Sequence, residues 1–197
     1  YDGEWDHDHK RGYSKGKHTY RNGDVYDGEW EDCARHGTGK MTYTGSGVYE
    51  GEWVDDNRHG KGKRTHASGN VYEGDWREDT KDGTGTCIYT SGHVYNGEWK
   101  ANDFNGKGSM TYGNGDVYEG HWKDGKKHGN GTYSYTGGNV YEGEWKEDVK
   151  HGVGQLTDTR GGVYDGEWTD GQKHGTGTYT DECGNVYDGE WEDDCFN

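Results

Sequence analysis

The sequence predicts an all-β fold: an elongated, single-layer, twisted antiparallel β-meander, a solenoid-like rod of 23-residue two-stranded units. Three observations carry that expectation. A Tyr-x-Gly-x-Trp pentad recurs along the whole chain, residues within it alternate with period two, and the 197 residues include 39 Gly, no Pro, one Leu and one Ile. A composition so poor in aliphatic side chains cannot fill a packed helical core. Seventeen Tyr and nine Trp hold most of the apolar surface instead. Each such ring buries on the order of 150–250 Å².

The first element of each unit is the pentad, found at Tyr1–Trp5, Tyr26–Trp30, Tyr49–Trp53, Tyr72–Trp76, Tyr95–Trp99, Tyr118–Trp122, Tyr141–Trp145, Tyr164–Trp168 and Tyr187–Trp191. The spacing is 25 residues once and 23 thereafter, so residues 1–197 form a single array of eight full units and the opening strand of a ninth. The chain opens without Met inside a pentad, as expected of a piece of a longer array. Numbered from its Tyr as offset 0, each unit places Tyr, Gly and Trp at offsets 0, 2 and 4, with acids usually at 1 and 3. That alternation is a strand with an aromatic face and a charged face.

The second element covers roughly offsets 11 to 17, as in residues 37–43, with glycines at 11 and 13. Cross-strand partners share a face, so offset 2 is expected opposite 13 and offset 4 opposite 11, leaving a four-residue connection at about offsets 6 to 9. The return to the next unit is a three-residue loop ending in Gly23, Gly69, Gly92, Gly115, Gly138, Gly161 or Gly184, the pattern of a type I turn with a G1 bulge. Ser46 departs from it, with Gly45 and Gly47 beside it to supply the freedom. Glycine inside a strand weakens it unless something packs close. The strand glycines are therefore expected to form a bare floor on which the indoles lie flat.

Tyr-x-Gly-Glu-Trp followed by His-Gly-x-Gly-x-x-Thr-Tyr and Gly-x-Val, over 23 residues, resembles the MORN (membrane occupation and recognition nexus) repeat. The resemblance covers the whole chain. It implies the single-layer meander and, within the family, a likeness to the all-repeat scaffold proteins of apicomplexan and kinetoplastid parasites. The implied function is a non-enzymatic structural scaffold that organises cytoskeleton-associated assemblies inside the cell, with cytoskeletal or scaffold proteins as partners.

Charge and the irregular positions set the alternatives. The formal charge of −16 opposes anionic membranes and nucleic acids. No run of 18 apolar residues spans a membrane. A basic row at offset 9 (Lys10, Arg35, Arg58, Lys81, Lys127, Lys150, Lys173, interrupted by Phe104) is expected along one long edge, beside a His at offset 10 in most units. Arg35, Arg58, Lys127, Lys150 and Lys173 are accordingly the candidates for a second reading, a module that binds phospholipid headgroups. Every His, Asp and Thr recurs in register, whereas catalysis needs one constellation unlike its surroundings, so no catalytic residue and no required cofactor are expected. Cys33, Cys87, Cys183 and Cys195 sit at unrelated offsets, which fits a reducing, intracellular compartment better than a disulfide framework.

The C-terminal half unit is expected to leave an open strand edge and an uncovered Trp191. Open edges template association. The expectation is a homodimer through the C-terminal units, with Tyr164, Trp168, Tyr187, Trp191 and Cys195 at the interface. Across a two-fold axis there, His174 and Cys195 of each copy could also complete a tetrahedral Zn site.

Overall fold

The structure, a computed structural model, describes residues 2–3 and 13–196. Tyr1, Trp5, Lys10 and Gly12 lie outside the described residues. The regular elements among the described residues are all β-strands. By their contacts they fall into two compact units, Tyr1–Ser91 with Glu98–Asn102, and Gly92–Gly97 with Asp103–Asn197.

The first unit contains β1 (Asp2–Gly3), β2 (Tyr13–Thr19), β3 (Val25–Glu31), β4 (Ala34–Tyr43), β5 (Gly47–Val54), β6 (Asn57–His66), β7 (Val71–Arg77) and β8 (Thr80–Ile88). Each pairs antiparallel with the next in a single layer. β9 (Val94–Lys100) is divided between the units. The second unit continues with β10 (Asp103–Thr111), β11 (Val117–Lys123), β12 (Lys126–Ser134), β13 (Val140–Lys146), β14 (Val149–Thr157), β15 (Val163–Thr169), β16 (Gln172–Thr180), β17 (Val186–Glu192) and β18 (Cys195–Phe196), again paired in chain order. The expected all-β, single-layer antiparallel meander is present in both.

Glycine faces glycine at offsets 2 and 13, as in Gly28 opposite Gly39 and Gly143 opposite Gly154. The connection that follows differs from expectation. The register shifts after Gly28, Trp30 stands opposite Arg35, and the hairpin closes on Glu31 and Ala34 through only two residues, Asp32 and Cys33, at φ 48° and 70°. Two central residues with positive φ match the twist of the flanking strands, as in a type I′ turn. The extra length is absorbed by a bulge. Gly37, at offset 11, consequently pairs with Trp53 of the next repeat, at φ +59°. Its lack of a side chain serves the backbone and the Glu29 carboxylate, which occupies the place a Cβ would take.

The bulge frees a carbonyl, and buried backbone groups must find partners. The Tyr26 hydroxyl donates to the Glu29 carbonyl at 2.9 Å, and the same bond recurs from Tyr49, Tyr72, Tyr118, Tyr141 and Tyr164 at 2.9–3.0 Å. On the reverse face the Glu29 carboxylate accepts from the Thr38 amide at 3.0 Å. The ring lying over the glycine floor is therefore the phenol, not the expected indole: a Cβ on Gly28 or Gly39 would strike Tyr26.

The indole instead reaches back to the preceding repeat. Trp53 Nε1 donates to the Gly39 carbonyl at 3.2 Å, and Trp145 to Gly131 at 3.1 Å. Each phenol is thus wedged edge-on between two indoles, Tyr49 lying 5.0 Å from Trp53 and 5.4 Å from Trp76. This row forms the core, with Tyr26, Tyr49, Tyr72, Tyr118 and Tyr141 at 0% exposure. The return loops follow the expected pattern, with Gly23, Gly69 and Gly115 at φ 88–91°. At the irregular loop both Gly45 and Gly47 take positive φ.

Candidate binding face

The strands position three kinds of side chain above the aromatic row. The offset-9 cations come first. With the hairpin loop only two residues long, they belong to strands rather than to a loop edge, and each projects over the indole of the following repeat. Arg35 lies 4.4 Å from the Trp53 ring, Arg58 4.2 Å from Trp76, Lys81 4.5 Å from Trp99, Lys127 4.4 Å from Trp145, Lys150 4.6 Å from Trp168 and Lys173 4.9 Å from Trp191. Ring quadrupoles attract cations at such distances. Burial among the rings lowers the ammonium pKa of Lys81, Lys127, Lys150 and Lys173. Phe104 keeps the pattern without charge, stacking on Tyr95 at 3.9 Å.

Second come the caps. Asp56, in the next turn, accepts from the Arg35 amide at 3.0 Å and from its Nε at 2.9 Å, while the Asp56 amide donates to the Arg35 carbonyl. Asp79 does the same for Arg58, and Asn102, Asp148 and Asp194 cap the amides of Lys81, Lys127 and Lys173 at 2.9–3.0 Å. At the opposite edge Asp24, Asn70, Asp116 and Asn139 cap the amides of Thr44, Thr90, Thr136 and Thr159. Hydrogen bonds from the Thr136 hydroxyl and amide, with Asn114 and Tyr133, hold the Asp116 carboxyl well below the usual range. The turn acids, missed as functional positions in the sequence, are thus fasteners between repeats, while the acids at offset 3 tie together the two strands of one repeat. Their signal was an acid recurring opposite a glycine at offset 11.

Third are half-exposed rings at offset 17, Tyr20, Tyr43 and Tyr89 in the first unit and Tyr112 and Tyr135 in the second. Lys127 lies over Tyr112 and Lys150 over Tyr135, so rings and cations share a face, whereas the Glu29, Glu52 and Asp75 carboxylates at offset 3 lie on the reverse of the sheet.

At the C-terminus, Tyr164 and Trp168 are buried, leaving them no surface to offer. Trp191, expected uncovered, is 7% exposed, because Phe196 of β18 packs against it at 5.3 Å and Lys173 covers it. The exposed apolar groups are Val186, Tyr187 and Phe196, at 62%, 43% and 46%. His174 and Cys195 are both exposed and lie in successive repeats, joined by the bond from the Asp194 amide to the Lys173 carbonyl. Among the described residues no group of three or more His, Cys, Asp or Glu is placed to hold a metal ion. The four cysteines are free, with Cys87 buried in the aromatic row. Among the described residues no helix is long and apolar enough to cross a membrane.

The MORN repeat family matches seven consecutive stretches, residues 26–48, 49–71, 72–94, 95–117, 118–140, 141–163 and 164–185. The chain belongs to the MORN repeat family. Among curated proteins none matches it. Among solved structures, these MORN repeats resemble the SAS-4 (dCPAP) TCP domain of Drosophila melanogaster, solved with a proline-rich motif of Ana2 (dSTIL), at 9% identity and a TM-score of 0.50 over 90% of each chain. They also resemble the TCP10 domain of Danio rerio CPAP, at 10% identity and a TM-score of 0.50 over 91% of this chain and 89% of that one. Likeness at such identities is a likeness of fold.

Proposed function

We propose that the chain is a non-enzymatic protein-binding scaffold whose aromatic, cation-lined face receives extended segments of partner proteins, in assemblies of the cytoskeletal kind. The observation that carries this reading is the uncovered face itself. A single layer leaves the offset-17 rings and offset-9 cations in contact with solvent, at a spacing fixed by the repeat. Half-exposed tyrosines give contact area at low entropic cost. The similar SAS-4 TCP domain was solved in complex with a proline-rich motif, a precedent for such a fold taking a partner's segment. A peptide array probed with the full chain and with a Tyr43→Ala/Tyr135→Ala variant tests the proposal. Selective binding that the variant loses supports it; no binding, or binding indifferent to both tyrosines, overturns it.

The same proposal includes self-association through β17. The segment Tyr187-Asp188-Gly189-Glu190-Trp191 is symmetric about its glycine, so a two-fold pairing sets Gly189 against its copy and rebuilds the glycine floor seen within the chain. Exposed Val186, Tyr187 and Phe196 supply the apolar contact, and Cys195 with His174 would be the zinc ligands. Solution mass with and without chelator decides: a monomer at all concentrations removes the dimer, and a chelator-resistant dimer removes the metal. Phospholipid binding through Arg35, Arg58, Lys127, Lys150 and Lys173 has less support, since the net charge opposes anionic surfaces.

A further inference from the structure

One stretch of the aromatic face in the second unit departs from the repeat. Offset 15 is Met41, Arg64, Cys87, Met110 or Leu156 in other repeats, but it is Tyr133 in β12. Tyr179 also stands at offset 15, yet the offset-17 residues beside it are Asp158 and Asp181, whereas those beside Tyr133 are Tyr112 and Tyr135. The Tyr133 ring lies 5.8 Å from Tyr112 and 4.5 Å from Tyr135. Three half-exposed rings thus form an unbroken strip one repeat long. The Tyr133 hydroxyl donates to Asp116 at 2.9 Å, while those of Tyr112 and Tyr135 have no acceptor among the described residues.

Cations flank the strip. Lys127 Nζ lies 6.0 Å from the centre of the Tyr112 ring and 4.8 Å from that of Tyr133, and Lys150 Nζ lies 5.7 Å from that of Tyr135. Lys126 pairs with Glu147 at 3.5 Å, but neither Lys127 nor Lys150 has a carboxylate within ion-pair distance among the described residues. The nearby acids are otherwise engaged, Asp148 by the Lys127 amide and Asp116 by Thr136, Asn114 and Tyr133. Charges beyond about 8 Å are largely screened at physiological salt, so these two ammonium groups set the local preference, which is for an acid.

The period of the repeat selects the backbone of a ligand. Two strands per repeat put Tyr112 and Tyr135 about 10 Å apart. One turn of a polyproline II helix, three residues of about 3.1 Å each, advances about 9 Å and returns residue i+3 to the face of residue i. A β-strand sends those two residues to opposite faces. The polyproline II backbone also leaves its carbonyls open, as acceptors for the Tyr112 and Tyr135 hydroxyls. Residues 1–197 contain no Pro, so no segment of this sequence is the occupant.

We propose that Tyr112, Tyr133 and Tyr135, with Lys127 and Lys150, dock a polyproline II segment of a partner protein. One proline of a Pro-x-x-Pro motif rests on Tyr112 and the other on Tyr135, with an adjacent Asp or Glu beside the ammonium groups. This rests on the peptide-binding reading above and names the class of peptide. The test titrates the full chain into labelled synthetic peptides, read by fluorescence anisotropy: Pro-x-x-Pro flanked by Glu, the same flanked by Lys, and versions with the prolines one residue closer or farther apart. Tyr135→Ala and Lys127→Gln/Lys150→Gln are titrated alongside. The expected result is binding about ten-fold or more tighter for Pro-x-x-Pro than for either altered spacing, and for the Glu flank than for the Lys flank. Tyr135→Ala should lose the first preference and the double lysine change the second. Binding indifferent to proline spacing, no binding of the Glu-flanked peptide, a preference for the Lys flank, or a spacing preference that survives in Tyr135→Ala overturns the inference. Should Tyr135→Ala fail to fold, the spacing series on the unaltered chain still decides. If the peptide array described above yields only proline-free peptides whose binding needs Tyr43 and Tyr135, this inference alone fails and the scaffold reading stands.

Discussion

The indole N–H of Trp168 donates to the carbonyl of Gly154 across 2.8 Å, in a setting where both groups are shut away from water. Trp168 opens one repeat and Gly154 belongs to the second strand of the repeat before it. The bond is therefore a joint between successive repeats, and it uses the one polar atom of the indole. Trp168→Phe keeps a ring but leaves the Gly154 carbonyl without its donor. An unsatisfied buried acceptor costs about 2 kcal/mol. Chemical denaturation should show a loss of that order, and a loss under a few tenths would remove the joint from the account.

Gly39 makes a sharper demand. An added Cβ there would sit inside the Tyr26 phenol, whose hydroxyl and ring carbons already fill the space. Neither ring nor floor can move without breaking the bond to the Glu29 carbonyl. Gly39→Ala should cost about 2–3 kcal/mol, in the range of overpacked cores. The comparison is Gly45→Ala, where no atom crowds the position and only the positive φ penalises the change. A Gly39→Ala protein as stable as its Gly45→Ala counterpart would show that the phenol is not seated as described.

The two-residue turns predict a gain. Asp32 and Cys33 both hold positive φ, and Cys33 is exposed. Cys33→Gly removes the strain of a left-handed cysteine and should raise stability by about 0.5–1 kcal/mol, after allowing for the looser unfolded chain. A fall in the denaturation midpoint would contradict the type I′ geometry.

The buried phenols predict an alkaline limit. Desolvation raises the pKa of Tyr26, Tyr49, Tyr72, Tyr118 and Tyr141 above 10, and that of Tyr112 and Tyr164 to about 12. A folded pKa above the unfolded one means stability present in full below pH 10 and lost as pH rises through the folded value. Lys81, Lys127, Lys150 and Lys173 have the opposite sign, since their folded pKa is lowered, and their neutralisation offsets part of the early loss. The sheet should persist at pH 10 and unfold at about pH 12 or above. Tyrosinate absorbance and tryptophan fluorescence followed together in an alkaline titration should change in one step. Phenols that ionise near pH 10 with the fluorescence unchanged would refute their burial.

Much of this was legible in the residues. Period-two alternation, the unbroken 23-residue phase from Tyr26 to Tyr187 and the Gly28–Gly39 type of pairing follow from which side chains can share a face. The turn at Asp32 was misread because its own residues lack the Asn-Gly or Asp-Gly signature. Asp124-Gly125 and Asp170-Gly171 carry it at the same place in other repeats. From that single error came the placement of Arg35 and its equivalents on a loop edge, since the bulge that carries them into a strand needs the shorter turn. Exchange of phenol for indole on the glycine floor could not be read at all, because offsets 0 and 4 share a face and sequence does not say which ring bends toward Gly39. Nothing in the sequence marks Arg64, at offset 15, as a residue buried against Tyr43.

Each indole grips only the repeat before it, and each turn aspartate only the strand end before it. Within each unit cohesion is accordingly passed from neighbour to neighbour, as along a row of linked carriages. Damage at one link loosens the two repeats it joins and leaves distant ones coupled, so such a chain can lengthen or shorten by whole repeats without redesign of the remainder. Pulled from one end, it should part a hairpin at a time, resisting each step with much the same force.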